Sequence, residues 1–253
     1  MENTNAHSVL CLGRSHVGHV RTRNEDAWLT SFASQILNAS AADQLSTADT
    51  GHNACATAGW AVVADGMGGH PAGDVASRTV VEFVANRGST LTDREAIETC
   101  MSVADHVLEA ASSRDPLLCG MGSTVAGVVV QDTTALAFNL GDSRVYHWSN
   151  GLLRRLSVDH TDRIGALTRY LGGGVKTKNP LRLMPNIVEA QLSVGDHLLI
   201  CTDGLTKGLS DGEIQSLLHS EQPADELLEA ALRKDGSDNI TFVLLEFYSD
   251  QRS

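Results

Sequence analysis

The chain has 253 residues, 42% of them apolar and 20% charged, an ordinary globular composition that suits one large domain or two small ones. With 31 acidic against 19 basic residues and a formal charge of -12, it excludes a sequence-independent nucleic-acid binder, which needs basic patches to meet phosphates. Five scattered cysteines with no C-x-x-C pair exclude a disulfide framework and a thiolate zinc site, and no apolar run approaches the ~18 residues of a membrane span.

The N-terminal "MENTNAHSVL" lacks a basic stretch ahead of an apolar core, so no signal peptide is expected and the protein is expected to be soluble and cytoplasmic. "RTRNEDAW" then places Glu25 and Asp26 near a first-segment strand. Residues 33–58, rich in Ala, Ser, Thr, Asn and Asp without clear periodicity, predict a mobile surface loop. In "WAVVADGMGGHPAGDVAS" an apolar strand ends in Asp65 and a glycine-rich loop leads into a helix. That helix has Pro71 near its start and Gly88 past its end. A second helix, "DREAIETCMSVADHVLEAASSR", shows an apolar face at 97, 101, 104, 107, 108 and 111.

"STVAGVVVQDTTALAFNLGDSRVYHWSNGLLRRLS" predicts three or four successive strands. Ser-Asn-Gly at 149–151 is a hairpin signal, because Asn-Gly accepts positive φ. "IVEAQLSVGDHLLICTDG" adds a strand pair, helices are expected from Asp211 and about Pro223, and "NITFVLLEF" is a last strand. Adjacent strands with short turns favour antiparallel sheets covered by helices, an α+β layered domain. The absence of regular β-α alternation excludes Rossmann and TIM architectures.

Apolar strands here repeatedly meet an acid beside a glycine or small polar residue: Asp65, Asp142 and Asp203 at strand ends, Asp238 just before a strand, and Glu25 with Asp26. Any one Asp-Gly is adequately explained as a turn. Several together are harder to dismiss, since converging carboxylates repel and need compensation. A hard cation with oxygen ligands provides it, and the lack of an H-x-x-x-H or H-E-x-x-H pattern points to Mg²⁺ or Mn²⁺ over zinc. "DGMGGH" fits neither a Walker loop nor G-x-G-x-x-G, but glycine there lets the backbone approach a metal and lend a carbonyl.

Together, "RTRNEDA", "VVADGMGGHPAGDVAS", "GSTVAGVVV", "NLGDSRVY", "SVDHT", "LTRYLGG", "LLICTDGLT" and "GSDNITFVLLEF", in this order, resemble the metal-dependent serine/threonine protein phosphatases of the type 2C (PPM) class in their compact bacterial form. The resemblance implies one domain over 1–253 with a core of about 9–248. It implies a four-layer α-β-β-α sandwich, two central antiparallel β-sheets flanked by helices. It also implies two Mn²⁺ or Mg²⁺ ions and a water or hydroxide between them that attacks phosphorus directly. Asp65 would bridge both ions, the Gly66 carbonyl would bind one, and Asp203 and Asp238 would hold the other. Glu25 would act mostly through water, with Asp26 beside it, and Arg21 would grip the substrate phosphate. The implied partners are phosphorylated Ser/Thr proteins and a cognate bacterial Ser/Thr kinase pathway, and the family default is a monomer. His70 has two open readings, general acid or structural loop histidine.

Two departures from the family stand out. A third ion in bacterial members uses Asp142 and an aspartate where this chain has Lys207. A third site is therefore expected to be weak, with Lys207 either substituting for its charge or pointing to solvent. Only "DRIGA" separates "VDHT" from "LTRYLGG". The flap, about twenty residues in bacterial relatives, is thus trimmed, and selectivity carried over from them is in doubt. Competing with an active phosphatase are a non-catalytic binding module of the same fold and a hydrolase of small phosphoesters.

Overall fold

The computed structural model describes residues 7–32, 45–49, 58–68, 72–174 and 180–249. In chain order the strands are β1 (His7–His16), β2 (Asp26–Thr30), β3 (Leu45–Asp49), β4 (Ala58–Met67), β5 (Gly122–Ser123), β6 (Val125–Gln131), β7 (Thr134–Leu140), β8 (Arg144–Ser149), β9 (Leu152–Arg155), β10 (Leu171–Gly172), β11 (Asn186–Gln191), β12 (His197–Cys201) and β13 (Ile240–Ser249). The helices are α1 (Ala72–Ala85), α2 (Arg94–Arg114), α3 (Asp203–Gly208), α4 (Asp211–Leu217) and α5 (Pro223–Lys234).

Two antiparallel sheets form. One runs β3-β1-β13-β12-β8-β9; the other runs β10-β5-β4-β6-β7-β11, with β2 pairing β4 beside that path. The layering follows from the period of two along each strand. On β13, Val243, Leu245 and Phe247 enter the core between the sheets, while Ile240, Phe242 and Leu244 enter a core shared with α4 and α5. On β4, Ala61 and Val63 face the inter-sheet core, and Val62 and Ala64 face the core shared with α1 and α2. Both strands are covered on both faces, so they read as continuous apolar runs. The result is the expected α-β-β-α sandwich, the α+β class.

The helices sit close to their expected places. Asp93 caps α2 by accepting from the Ala96 N–H at 2.9 Å, and Ile97, Met101, Ala104 and Leu108 are its buried stripe. The Ser-Asn-Gly hairpin forms as expected, with Asn150 at φ 51° and Gly151 at φ 80° between β8 and β9.

Three expectations need correction. Within the expected loop 33–58, Leu45–Asp49 is a strand, β3, paired with the Leu12–His16 half of β1. An edge strand bonds on one side only, so it needs no apolar alternation to form. The strands of "IVEAQLSVGDHLLICTDG" belong to different sheets: β11 pairs β7, and β12 lies between β8 and β13. The "TDG" stretch, expected as a strand end, begins a helix, α3, with Thr202 at its N-cap position. Among the described residues, no helix is long and apolar enough to cross a membrane.

Candidate metal centre

The antiparallel order brings strand ends of both sheets to one rim of the sandwich. His16 at the end of β1 lies opposite Ile240 at the start of β13, and Cys201 at the end of β12 lies opposite Phe242. That pairing places the β1–β2 loop with Arg21 and Glu25, the start of α3 with Asp203, and Asp238 at the same rim. In the second sheet Asp26 on β2 is registered opposite Asp65 on β4. Asp142 sits on the β7–β8 loop, where the chain crosses between sheets.

Close backbone approach makes this convergence possible. A Cβ on Gly66 would lie 1.9 Å from the Gly73 carbonyl oxygen, and one on Gly204 would lie 1.9 Å from the Asn239 carbonyl oxygen. The residues after Asp65 and Asp203 must therefore be glycine, for contact and not for an unusual φ. Polar side chains fix the remaining loops. The Thr124 hydroxyl accepts from the Asp65 N–H at 3.1 Å, and Ser123 donates to the Asp65 carbonyl at 3.0 Å. Asn239 donates to the Val17 and Arg23 carbonyls, both at 2.9 Å, and accepts from the Glu25 N–H at 2.8 Å. One asparagine thus clamps the whole Arg21–Glu25 loop against β13. His160 does the same for the Asp142 loop: its N–H donates to the Gly141 carbonyl at 3.0 Å, and Nδ1 accepts from the Gly141 N–H at 3.1 Å. Beneath that loop Arg144 forks onto both oxygens of Asp159, at 3.0 and 2.7 Å. Asn239, Thr124, Thr202 and His160 were not singled out by sequence. All four lie inside quoted motifs, yet their partners are too distant in the chain to suggest a role.

The electrostatics show what the rim lacks. Burial pushes the Asp65 carboxyl well above the usual range, and the charges of Asp26, Asp203, Asp142 and Asp238 push it further. Asp26 is buried and is pushed up to about 7 by burial, against hydrogen bonds from Thr202 and Thr241 that favour its anion. Thr202 donates to Asp26 Oδ2 at 2.8 Å. Asp142 is pushed up to about 6, first by burial and then by Asp203. Asp203 Oδ1 is buried without any hydrogen-bond partner. A buried carboxylate oxygen left unpaired is costly unless something else satisfies it. Hard oxygen donors, mutual repulsion and this orphaned oxygen fit a hard divalent cation.

Only two cations among the described residues pair with these acids. Arg21 forks onto Asp238, with Nε 2.8 Å from Oδ1 and Nη2 3.1 Å from Oδ2. Lys207 Nζ lies 2.7 Å from Asp203 Oδ2 and 2.6 Å from Asp238 Oδ2. Burial alone would raise Asp238, but the Lys207 hydrogen bond and charge, with Arg21, hold it below its ordinary value. Lys207 thus does not simply point to solvent; it spans the Asp203–Asp238 pair, and its charge also lowers Asp142. Among the described residues no three His, Cys, Asp or Glu side chains are close enough to grip one ion. Glu25 is half-buried, its carboxylate close to Gly73. His70 lies outside the described residues.

Comparison with known proteins finds relatives over most of the chain. The family described as Protein phosphatase 2C matches residues 38–240, a stretch that holds Asp65, Asp142, Asp203 and Asp238 and begins after Arg21 and Glu25. The chain is 33% identical over 212 residues to the serine/threonine phosphatase stp of Listeria innocua, covering 73% of this chain and 83% of that protein. It is 30% identical over 207 residues to the serine/threonine protein phosphatase PstP of Mycobacterium tuberculosis, covering 73% of this chain and 39% of that longer protein. Of solved structures, PppA of Pseudomonas aeruginosa, described as a key regulatory component of T6SS, superposes with a TM-score of 0.74 at 26% identity over 96% of this chain and 100% of that one. By this family match and these relatives, the chain belongs to the protein phosphatase 2C family.

Proposed function

We propose that this protein removes phosphate from phosphoserine and phosphothreonine in proteins, acting in the cytoplasm as a monomer against a cognate Ser/Thr kinase. The observation that carries this reading is the convergence of Asp65, Asp142, Asp203 and Asp238 on one rim, with Asp203 Oδ1 buried and unpaired. Asp65 and the Gly66 carbonyl would hold one Mn²⁺ or Mg²⁺, with Asp65 shared, and Asp203 and Asp238 would hold a second. Asp142 offers a weak third position. When bound, such ions lower the pKa of water towards neutrality and offset charge on phosphoryl oxygens.

The protein's own groups account for the rest. Arg21 stands on the exposed lip of the site, and its guanidinium already makes a two-pronged bond to Asp238. The same fork fits two phosphate oxygens, so Arg21 exchanges a carboxylate for the substrate and orients it in line. Glu25 is held by the Asn239 clamp and positions water. Asp26 is buried behind Asp65, where its bond from Thr202 fixes the β12–α3 junction rather than touching substrate. His70 is the candidate donor to the leaving alkoxide.

The test is hydrolysis of a phosphothreonine peptide with Mn²⁺, with EDTA, and with Asp65→Asn or Asp238→Asn. Activity is expected only with Mn²⁺ and unsubstituted aspartates. Turnover in EDTA, or wild-type turnover in either variant, overturns the reading.

A further inference from the structure

The two halves of the centre differ in a way the family resemblance does not explain. No cation among the described residues pairs with Asp65. At the other half, Lys207 Nζ sits between Asp203 and Asp238 at 2.7 and 2.6 Å. These are the lengths of full charge-assisted hydrogen bonds. Lys207 follows Asp203 by four positions, both within α3. Residues four apart on a helix share a face, so the backbone itself delivers the ammonium to Asp203. The helix is fixed in turn: Gly208 packs so closely on α5 that a Cβ there would meet the Ala231 carbonyl at 2.9 Å. Tyr146, Arg144 and Asp211 surround a neighbouring network but none competes for Lys207. The ammonium is part-exposed, so it has an open path outward.

We propose that Lys207 is a tethered competitor for the second ion. Its ammonium neutralises Asp203 and Asp238 in the metal-free protein, and a divalent cation enters this half only by displacing it. The proposal rests on the two-ion reading above and refines it: the Asp65–Gly66 half loads first, and the Asp203–Asp238 half loads second and more weakly. An ammonium 2.7 and 2.6 Å from these carboxylates and a divalent ion bound to the same pair would repel each other at short range, so the ion displaces Lys207 rather than sharing the pair with it. Asp203 Oδ1, the oxygen Lys207 does not reach, remains available as the first foothold for the incoming ion. The apparent affinity of this half is thereby reduced by the fraction of time Lys207 is away.

The experiment is calorimetric titration of the metal-free full chain with Mn²⁺ alone. Wild type, Lys207→Gln, Lys207→Met as a second neutral variant, and Lys207→Arg as a charge-conserving control are compared. Thermal unfolding is recorded for each with and without Mn²⁺. Wild type should show a tight and a weak class of site. Both neutral variants should tighten the weak class by about tenfold or more and leave the tight class unchanged, as removal of a competing state requires. They should also melt below wild type without metal and regain the difference at saturating Mn²⁺, while Lys207→Arg stays close to wild type. Unchanged weak-site affinity in both neutral variants, with two ions still bound, overturns the role of Lys207 alone. Binding of no Mn²⁺ by wild type or variant overturns the two-ion reading together with it.

Discussion

Asp65 is held where its own anion is disfavoured, buried and facing Asp26, Asp203, Asp142 and Asp238. Replacing it with the neutral isostere removes that repulsion along with the ligand. Asp65→Asn should therefore lower phosphopeptide hydrolysis about a hundredfold or more. At pH 8 the metal-free variant should nonetheless be more stable than wild type by about 1 kcal/mol or more, as when a poorly compensated buried charge is removed. Denaturant unfolding in EDTA alongside kinetics in Mn²⁺ checks both. Arg21→Ala should act differently, raising KM about tenfold through loss of the fork, and Arg21→Lys should not restore it. Asp65, Asp203 and Asp238 were legible because an acid where an apolar strand meets a glycine or a turn is a local pattern. Asn239 was not: it reaches Val17 across 222 residues of sequence, and nothing beside it in the chain announces that partner. Lys207 was visible only as a departure from a pattern, and its seat on Asp203 and Asp238 is a fact of three dimensions.

Among the elements, α3 shows how the site depends on packing. Its second residue, Gly204, presses on the Asn239 backbone, so Gly204→Ala should cost roughly 1–3 kcal/mol, the range for overpacking, and should displace Asp203 and the Asn239 clamp together. Gly212, inside α4, has open space around its missing Cβ, and Gly212→Ala should instead stabilise by roughly 0.5–1 kcal/mol. Unfolding of the two variants side by side separates contact from helix propensity. Elements with a strong period were readable from the sequence, as α2 and β13 illustrate. The strand β3 was not, because Leu-Ser-Thr-Ala-Asp has no alternating apolar face and pairs at an edge. The strands β11 and β12 were readable as strands, but their division between sheets depends on partners far away in the chain.

For the molecule as a whole, two sets of groups pull stability in opposite directions with pH. His160 and His197 are lowered to about 4, chiefly by burial, so the unfolded chain binds more protons between about 4 and 6.5 and stability rises with pH there. Asp142 and Asp26 are raised to about 6 and about 7, so the folded chain binds more protons above 3.8 and stability falls as pH rises through those values. Without metal the acids, Asp65 with them, oppose the histidines from pH 4 to 6.5, and further loss should appear above about 6.5, where the histidines no longer contribute and Asp26 and the more strongly raised Asp65 still lose protons. Saturating Mn²⁺ holds the carboxylates ionised and removes the second trend, so stability should then climb with pH across the same window. Thermal melts from pH 4.5 to 8, with EDTA and with Mn²⁺, test this. A metal-free curve as steep as the loaded one would show that the acids do not oppose the histidines.

The position of β13, between β1 and β12 at the middle of its sheet, has a consequence for how the molecule is made. A growing polypeptide exposes two unpaired apolar edges until this late strand emerges to fill the gap, and contacts this remote in sequence close slowly. A chain stopped at Lys234 should therefore aggregate rather than persist as a soluble, inactive protein, with most of it in the pellet on sedimentation. Catalytic competence and escape from aggregation thus arrive in one late step.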